Sequence, residues 1–193
     1  SKARGICMVV GGVLIIAALA LFLWNLREAQ EAQKSSELIL PQIIEAVGNR
    51  EDNIILDPYD PKMTEVNIDG NSYIGYLSIP TLGLELPVMS EWNYTKLKIA
   101  PCRFYGSTKT GDLVIAAHNY RRHFGLISTL KVGDTIIFKD MDDITWLYEI
   151  AAVDVLTRDA VQEMTDGNYD LTLFTCTYGG QNRIAVRCDK ISH

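Results

Sequence analysis

The chain has 193 residues and a formal net charge of −6. Once an apolar N-terminal segment is set aside, this length accommodates one globular domain with a core of its own. The lysines and arginines form no cluster or stripe, and the balance is acidic. This distribution argues against a nucleic-acid partner, whose phosphates require a concentrated positive surface.

The N-terminal segment, residues 6–24, is an unbroken run of uncharged and mostly apolar positions. As a helix it would be about 28 Å long, close to the thickness of the bilayer hydrocarbon. A cleaved signal peptide is the alternative, but the run exceeds the usual apolar region of such peptides and no A-x-A site follows it. Lys2 and Arg4 favour a cytoplasmic N-terminus over residues 1–5. We therefore expect a single-pass anchor, with the remaining chain on the extracellular face.

Two connecting segments follow the predicted anchor. Residues 25–50 are rich in helix-forming residues and predict a helical stalk, interrupted at Pro41. Ile43 and Val47 belong to an apolar set at helical spacing, so the part after Pro41 is expected to pack on the domain, although a plain spacer is the alternative. Residues 51–71 are rich in Asp, Asn and Pro and predict a loop.

The remaining sequence, residues 72–193, predicts one all-β domain. Short apolar runs end at turn residues, as expected of strands. Two short helices are predicted at residues 93–100 and 124–130. The predicted strands cover residues 73–79, 84–88, 113–117, 135–138, 145–156, 171–175 and 183–188. Seven or eight such strands are typical of a barrel or a sandwich.

Three residues at strand ends suggest acyl transfer. Cys176 ends one apolar strand and is a candidate nucleophile, while His118 follows another and is a candidate base. Arg183 begins the strand after Cys176 and could donate hydrogen bonds to a developing oxyanion. Arg187 is the competing arginine on the same strand face, but it would lie about 13 Å farther along. The sequence therefore favours Arg183.

The other cysteines and histidines have simpler interpretations. Cys102 and Cys188 share a compartment with Cys176, and a bridge between them is an alternative to the favoured interpretation as small buried hydrophobic residues. His123 lies in a polar stretch and is expected to be a loop residue that borders the proposed site.

Residues Thr172 to Cys176 read TLFTC, which matches the TLxTC signature of the sortases. The chain resembles this family of membrane-anchored cysteine transpeptidases of mainly Gram-positive bacteria. The opening strands, the apolar strand before His118, and the arginine followed by Ile184-Ala185-Val186 are similar to the family pattern and occur in its order. The resemblance covers roughly residues 73–188 and implies an eight-stranded β-barrel.

The resemblance also implies a two-step reaction. Cys176 would attack a backbone carbonyl of an LPxTG-like sorting signal to form a thioacyl enzyme, and an amine of a peptidoglycan precursor or a pilin lysine would then release it. His118 would be the acid and base, and Arg183 would hold the oxyanion or the substrate backbone. Thr175 would position substrate, or would be simply a β-branched strand residue. The partners would be secreted proteins that carry sorting signals, and the chemistry requires no cofactor or metal.

Asp57-Pro58-Tyr59 resembles the lid of class C pilin sortases, in which an acid and an aromatic ring cover the site. An ordinary Asp-Pro turn is the alternative. The sequence shows no second apolar span after the barrel, unlike many pilin sortases, and the loop from Cys176 to Arg183 is short. The subclass therefore stays open.

Two other functional classes fit the same residues. A thiol peptidase would only hydrolyse its acyl enzyme, and product analysis with and without an added amine would distinguish it. In a non-enzymatic, surface-anchored binding barrel, Cys176 would be a buried hydrophobic residue.

Overall fold

A long helix, α1, extends over Lys2–Gly48 in the computed structural model, which describes residues 2–49, 61–177 and 179–192. Its N-terminal part is apolar and lies unburied, and α1 is long and apolar enough to cross a membrane. The helix continues through Pro41, so the interruption expected there is wrong. A proline inside a helix removes one backbone hydrogen bond, a loss that the rest of this helix accommodates. The division of α1 into a span and a stalk stays a prediction.

Two further short helices and nine strands follow in the described residues, with 3₁₀ turns at Pro80–Leu82 and Ile127–Thr129. The helices are α2 (Tyr94–Leu97) and α3 (Val161–Met164). The strands are β1 (Val66–Ile68), β2 (Asn71–Ile79), β3 (Leu84–Met89), β4 (Cys102–Tyr105), β5 (Leu113–Ala116), β6 (Thr135–Asp140), β7 (Thr145–Thr157), β8 (Leu171–Cys176) and β9 (Asn182–Ser192).

Eight of these strands close into a barrel. The order is β2-β3-β4-β5-β8-β9-β7-β6, and β6 pairs back with β2. β1 pairs with the first residues of β2, before the part of β2 that pairs with β6. The predicted eight-stranded all-β barrel is therefore confirmed. Closure requires Gly75, because a Cβ there would lie 2.0 Å from the carbonyl oxygen of Lys139 on β6. Its φ of 143° is also one that other residues rarely adopt.

Strand β5 is buried on both faces, which explains its unbroken apolar sequence. Leu113 and Ile115 point into the barrel interior, where they join the main core. Val114 and Ala116 point outward and belong to a second apolar cluster that includes Ile43 and residues of β8 and β9. Helix α1 packs on the outer face of the barrel, with its strand contacts mainly to β1, β2 and β3.

The sequence did not predict β1, β4 or α3. β1 has three residues and lies in the stretch predicted as a loop. β4 has four residues, of which Arg103 is polar, and a register shift separates Arg103 from Tyr105 in its pairing with β5. Such short or irregular elements form because neighbouring strands provide their hydrogen bonds, and they show no periodicity of their own.

Candidate active site

Parallel pairing of β5 with β8 brings the ends of these two strands together. The register runs from Leu113 opposite Leu171 to Ala116 opposite Phe174. It extends one step further, because the Ala117 amide donates to the carbonyl of Phe174 over 3.2 Å. Continued by one more residue, this register places His118 beside Cys176, on strands whose backbones are roughly 5 Å apart.

Antiparallel pairing of β8 with β9 places the arginine on the other side of the cysteine. Cys176 and Arg183 are direct partners in this ladder, so their side chains share one face of the sheet. The half-buried Arg183 directs its guanidinium Nη1 to the carbonyls of Gly180 and Asn182, at 3.3 and 3.2 Å. Cys176 and Arg183 are therefore partners on adjacent strands, and His118 follows two residues after the end of β5, the strand on the other side of β8.

The competing arginine is engaged elsewhere. Arg187 is 3% exposed, and its guanidinium donates to Asp154, to the Thr172 hydroxyl and to the backbone carbonyl of Glu163. Arg187 pairs with Thr172, so these contacts hold it four residues, or about 13 Å, from the end of β8. Arg183 stays the predicted arginine of the site.

Thr175 connects the two strands at the site. Its hydroxyl donates to the carbonyl of Ala117 over 2.8 Å, and Ala117 directly precedes His118. The threonine side chain is buried. The Thr175 hydroxyl therefore contacts the backbone next to His118. Thr175 also lines a small cavity.

That cavity opens at the barrel rim next to the thiol. Its volume is about 130 Å³, and its walls include Cys176, Thr175, Asn119, Phe124 and Ile184. Pockets for drug-sized ligands start at about 300 Å³. The cavity is thus of a size for one side chain of a peptide.

The loop after β5 is tightly folded. The Phe124 amide donates to the carbonyl of His118 over 3.1 Å, and the amides of His123 and Gly125 both donate to Tyr120. A Cβ at Gly125 would lie 2.5 Å from the carbonyl oxygen of Asn119, so the loop needs a glycine there. These bonds fix the backbone on both sides of His118.

His118 is partly shielded from solvent. Its Nε2 is buried and has no hydrogen-bond partner among the described residues, and its ring packs on Tyr120 at a centroid distance of 4.9 Å. Burial lowers the pKa of His118, the carboxylate of Glu28 opposes that shift, and Lys98 adds to it. A largely neutral imidazole at neutral pH can accept a proton from a thiol.

Two buried cysteines and a buried histidine lie outside the proposed site. Cys102 and Cys188 are free and buried, as the favoured interpretation predicted, and burial raises the pKa of both thiols. His123, by contrast, does not border the site as an accessible loop residue. It is fully buried beneath α1, with its Nε2 3.3 Å from the Ser36 hydroxyl.

The sequence matches the family model of the sortase domain over residues 77–191. The chain belongs to the sortase family. Sortase A of Bacillus anthracis is 30% identical over 125 residues, an alignment that covers 60% of this chain and 59% of that protein. This sortase chain thus spans less than two thirds of its curated relative. Together, the family and the apolar α1 indicate a membrane-anchored protein.

Solved sortase structures have the same fold. Sortase C1 of Streptococcus suis is 27% identical with a TM-score of 0.54, over 63% of this chain and 74% of that one. A sortase D5 transpeptidase of Clostridium perfringens is 20% identical with a TM-score of 0.64, over 82% and 99%. These relatives carry the class names A, C and D, so similarity alone does not select a subclass. The lid residues Asp57 and Tyr59 lie outside the described residues.

Helix α1 contributes to the surroundings of His118, which no sequence pattern predicts. Glu28 and Ser36 lie more than 80 residues before His118 and His123, and nothing in their spacing links them. Ser36 is the one polar residue among the buried residues of α1, and the others are apolar.

Proposed function

We propose that this sortase is a cysteine transpeptidase that cleaves an LPxTG-like sorting signal and transfers the acyl group to an amine. The observation that supports the proposal is the register of β5, β8 and β9. Cys176 pairs with Arg183, and the β5–β8 register, continued two residues past Ala116 and Phe174, leads to His118 and Cys176. A base, a thiol and a cation side by side in that order meet the needs of acyl transfer.

In the first step, the Cys176 sulfur attacks the carbonyl carbon of the scissile peptide bond, and a C–S bond forms. The oxyanion of the tetrahedral intermediate accepts hydrogen bonds from Arg183. The C–N bond then breaks, and His118 gives the proton taken from the thiol to the leaving amine. The product of this half-reaction is a thioester on Cys176.

In the second step, an incoming amine attacks the thioester. His118 takes its proton, a new C–N bond forms, the C–S bond breaks, and the thiol is restored. An amine of a peptidoglycan precursor and a pilin lysine are the two acceptor classes. Water as acceptor would make the enzyme a thiol peptidase, and no contact in the site favours water over an amine.

We further propose that α1 is a single-pass anchor with the N-terminus in the cytoplasm and the barrel outside the cell. Secreted proteins with a C-terminal sorting signal would then reach the barrel from the extracellular side. Asp57 and Tyr59 stay a predicted lid over this site.

The experiment uses the full chain in lipid nanodiscs, a quenched library of LPxTG-type peptides, and a panel of amines. We expect cleavage, with amine adducts exceeding the hydrolysed product. Cys176→Ala should reduce turnover at least about 1,000-fold, while the matched control Cys7→Ala should retain it. Equal turnover by Cys176→Ala would overturn the proposal. Hydrolysis alone with every amine would identify a peptidase, and absence of any turnover would favour a binding barrel.

A further inference from the structure

The part of α1 that follows the apolar span runs along the loop that carries His118. Glu28, Ala32 and Ser36 are four residues apart and therefore form one stripe on the helix, the site-facing stripe. Ala32 is fully buried, and its small side chain allows the helix to approach the loop closely. The stripe is about 12 Å long.

Polar contacts fix both ends of the site-facing stripe. At one end, the Ser36 hydroxyl donates to the carbonyl of Ile99 over 3.0 Å and lies 3.3 Å from His123 Nε2. At the other end, the Glu28 carboxylate accepts a hydrogen bond from Lys98 Nζ over 2.6 Å. The helix is thereby attached to both chain segments that flank the site.

Tyr120 lies between Glu28 and His118. Its hydroxyl donates to the Glu28 carboxylate over 3.5 Å, and its ring packs on the imidazole at a centroid distance of 4.9 Å and an interplanar angle of 36°. A contact chain therefore leads from the helix, through the tyrosine, to the proposed base.

Few groups that surround His118 change charge near neutral pH. Burial raises the pKa of Tyr120 to about 12 and lowers the pKa of His123 to about 4, so both stay neutral. Lys98 holds the pKa of Glu28 below its usual value, so this carboxylate stays charged. The titratable and charged groups that face His118 are Glu28 from α1, Lys98 after α2, Tyr120 and His123 from its own loop, Cys176 from β8 and Arg183 from β9.

We propose that Glu28, acting through Tyr120, positions His118 for proton transfer at Cys176, so that the helix extending from the membrane span is a working part of the active site. Glu28 and Tyr120 are positioning residues in this account, since neither contacts the thiol. The inference rests on the proposed function in one respect, namely that His118 exchanges protons with Cys176. The contacts themselves do not depend on it.

The first test is the titration of His118, measured by NMR on the full chain labelled with ¹³C-histidine. A Cys176→Ala background removes the ionisation of the thiol. Glu28→Gln should lower the His118 midpoint by roughly half a pH unit or more, because a nearby negative charge is lost. Lys98→Gln should raise it, because a positive charge is lost. Glu31→Gln makes the matched change at an exposed position of the same helix and should leave the midpoint unchanged.

The second test is kinetic and uses chains that retain Cys176. Glu28→Gln and Tyr120→Phe should lower kcat several-fold with KM unchanged, and the acidic limb of the kcat/KM profile should move to lower pH in Glu28→Gln. Tyr105→Phe alters an exposed tyrosine elsewhere on the barrel and should behave like the wild type.

The two readouts fail in different ways. If the wild-type chain turns over no peptide, the proposed function is wrong, and the NMR midpoints alone decide whether Glu28 acts on His118. If Glu28→Gln matches Glu31→Gln in both midpoint and kcat, the positioning role is wrong. Loss of a negative and of a positive charge should move the His118 midpoint in opposite directions. If Lys98→Gln and Glu28→Gln move it in the same direction, the positioning role is also wrong, because the shifts would then come from structural disturbance.

Discussion

Thr175 joins the two strands that carry the proposed nucleophile and base. Its hydroxyl donates to the carbonyl of Ala117, one residue before His118, and its own backbone leads directly to Cys176. A rigid link at this point sets the separation of thiol and imidazole. A small change in this separation would lower the reaction rate strongly, because proton transfer and nucleophilic attack both require near-contact geometry.

We predict that Thr175→Val lowers kcat by about tenfold and destabilises the barrel by about 1 kcal/mol. Valine keeps the shape and the strand preference but leaves the Ala117 carbonyl without its donor. Thr175→Ser retains the hydroxyl and should stay close to the wild type in kcat. Steady-state kinetics and urea unfolding measure the two effects. Wild-type kcat in Thr175→Val would show that the hydrogen bond does not position His118.

The residues of the site differ in how far sequence could identify them. Cys176, His118 and Arg183 could be predicted because each stands at or just past the end of a strand, where the signature and the strand order coincide. The strand period puts Arg183 and Arg187 on one face, so the preference for Arg183 rested on its shorter distance along the strand from Cys176. Glu28 and Tyr120 could not be identified in this way, because their meeting depends on the direction in which α1 packs.

At the scale of elements, the docking of α1 depends on a buried neutral histidine. His123 lies beneath the helix against Ser36, and burial lowers its pKa to about 4 from an ordinary 6.5. Between these values the unfolded chain binds a proton that the folded chain does not. The unfolding free energy is therefore highest above pH 6.5 and falls as the pH drops toward 4.

We predict that acidification from pH 7 to pH 4 lowers the free energy of unfolding by up to about 3 kcal/mol through His123. Urea unfolding at a series of pH values measures this loss. His118→Gln is measured beside it, because burial also lowers the pKa of His118 and gives a contribution of the same sign. In His123→Gln, which can retain the contact with Ser36, the pH dependence should be smaller. An unchanged pH profile in His123→Gln would mean that another group controls acid stability.

Long or deeply buried strands were easier to predict from the sequence than short, irregular ones. The long strands β2, β7 and β9 and the buried strands β5 and β8 show clear apolar patterns. β1 and β4 do not, because their neighbours supply the hydrogen bonds that define them. The packing of Ile43 and Val47 on the barrel was predictable from their spacing. The unbroken helix was not, because a proline by itself predicts an interruption.

At the scale of the whole molecule, α1 links the predicted membrane span to the proposed active site. Glu28 contacts the segments beside His118, and it lies four residues after Trp24, or about 6 Å along the helix axis. The ends of β5 and β8 that carry His118 and Cys176 should therefore face the membrane. Ile191, near the opposite end of β9, is about 30 Å farther away along the strand.

We predict that lipid-headgroup nitroxides in a nanodisc quench a thiol-linked fluorophore at Cys176 more strongly than one at the far end of the barrel. Cys7→Ala removes the exposed thiol of the span, and the other two thiols are buried. Ile191→Cys in a Cys7→Ala, Cys176→Ala background provides the distant label. Equal quenching at the two positions would contradict the placement of the site next to the membrane.

The most direct test of the central claim is the intact mass of the enzyme during turnover without an added amine. A cleavable LPxTG-type peptide should give a covalent adduct with the mass of its N-terminal fragment, located on the proteolytic peptide that contains Cys176. The adduct should disappear on addition of hydroxylamine or an acceptor amine, and Cys176→Ala should form none. Peptide cleavage without any adduct, or an adduct on another residue, would contradict a thioacyl enzyme at Cys176.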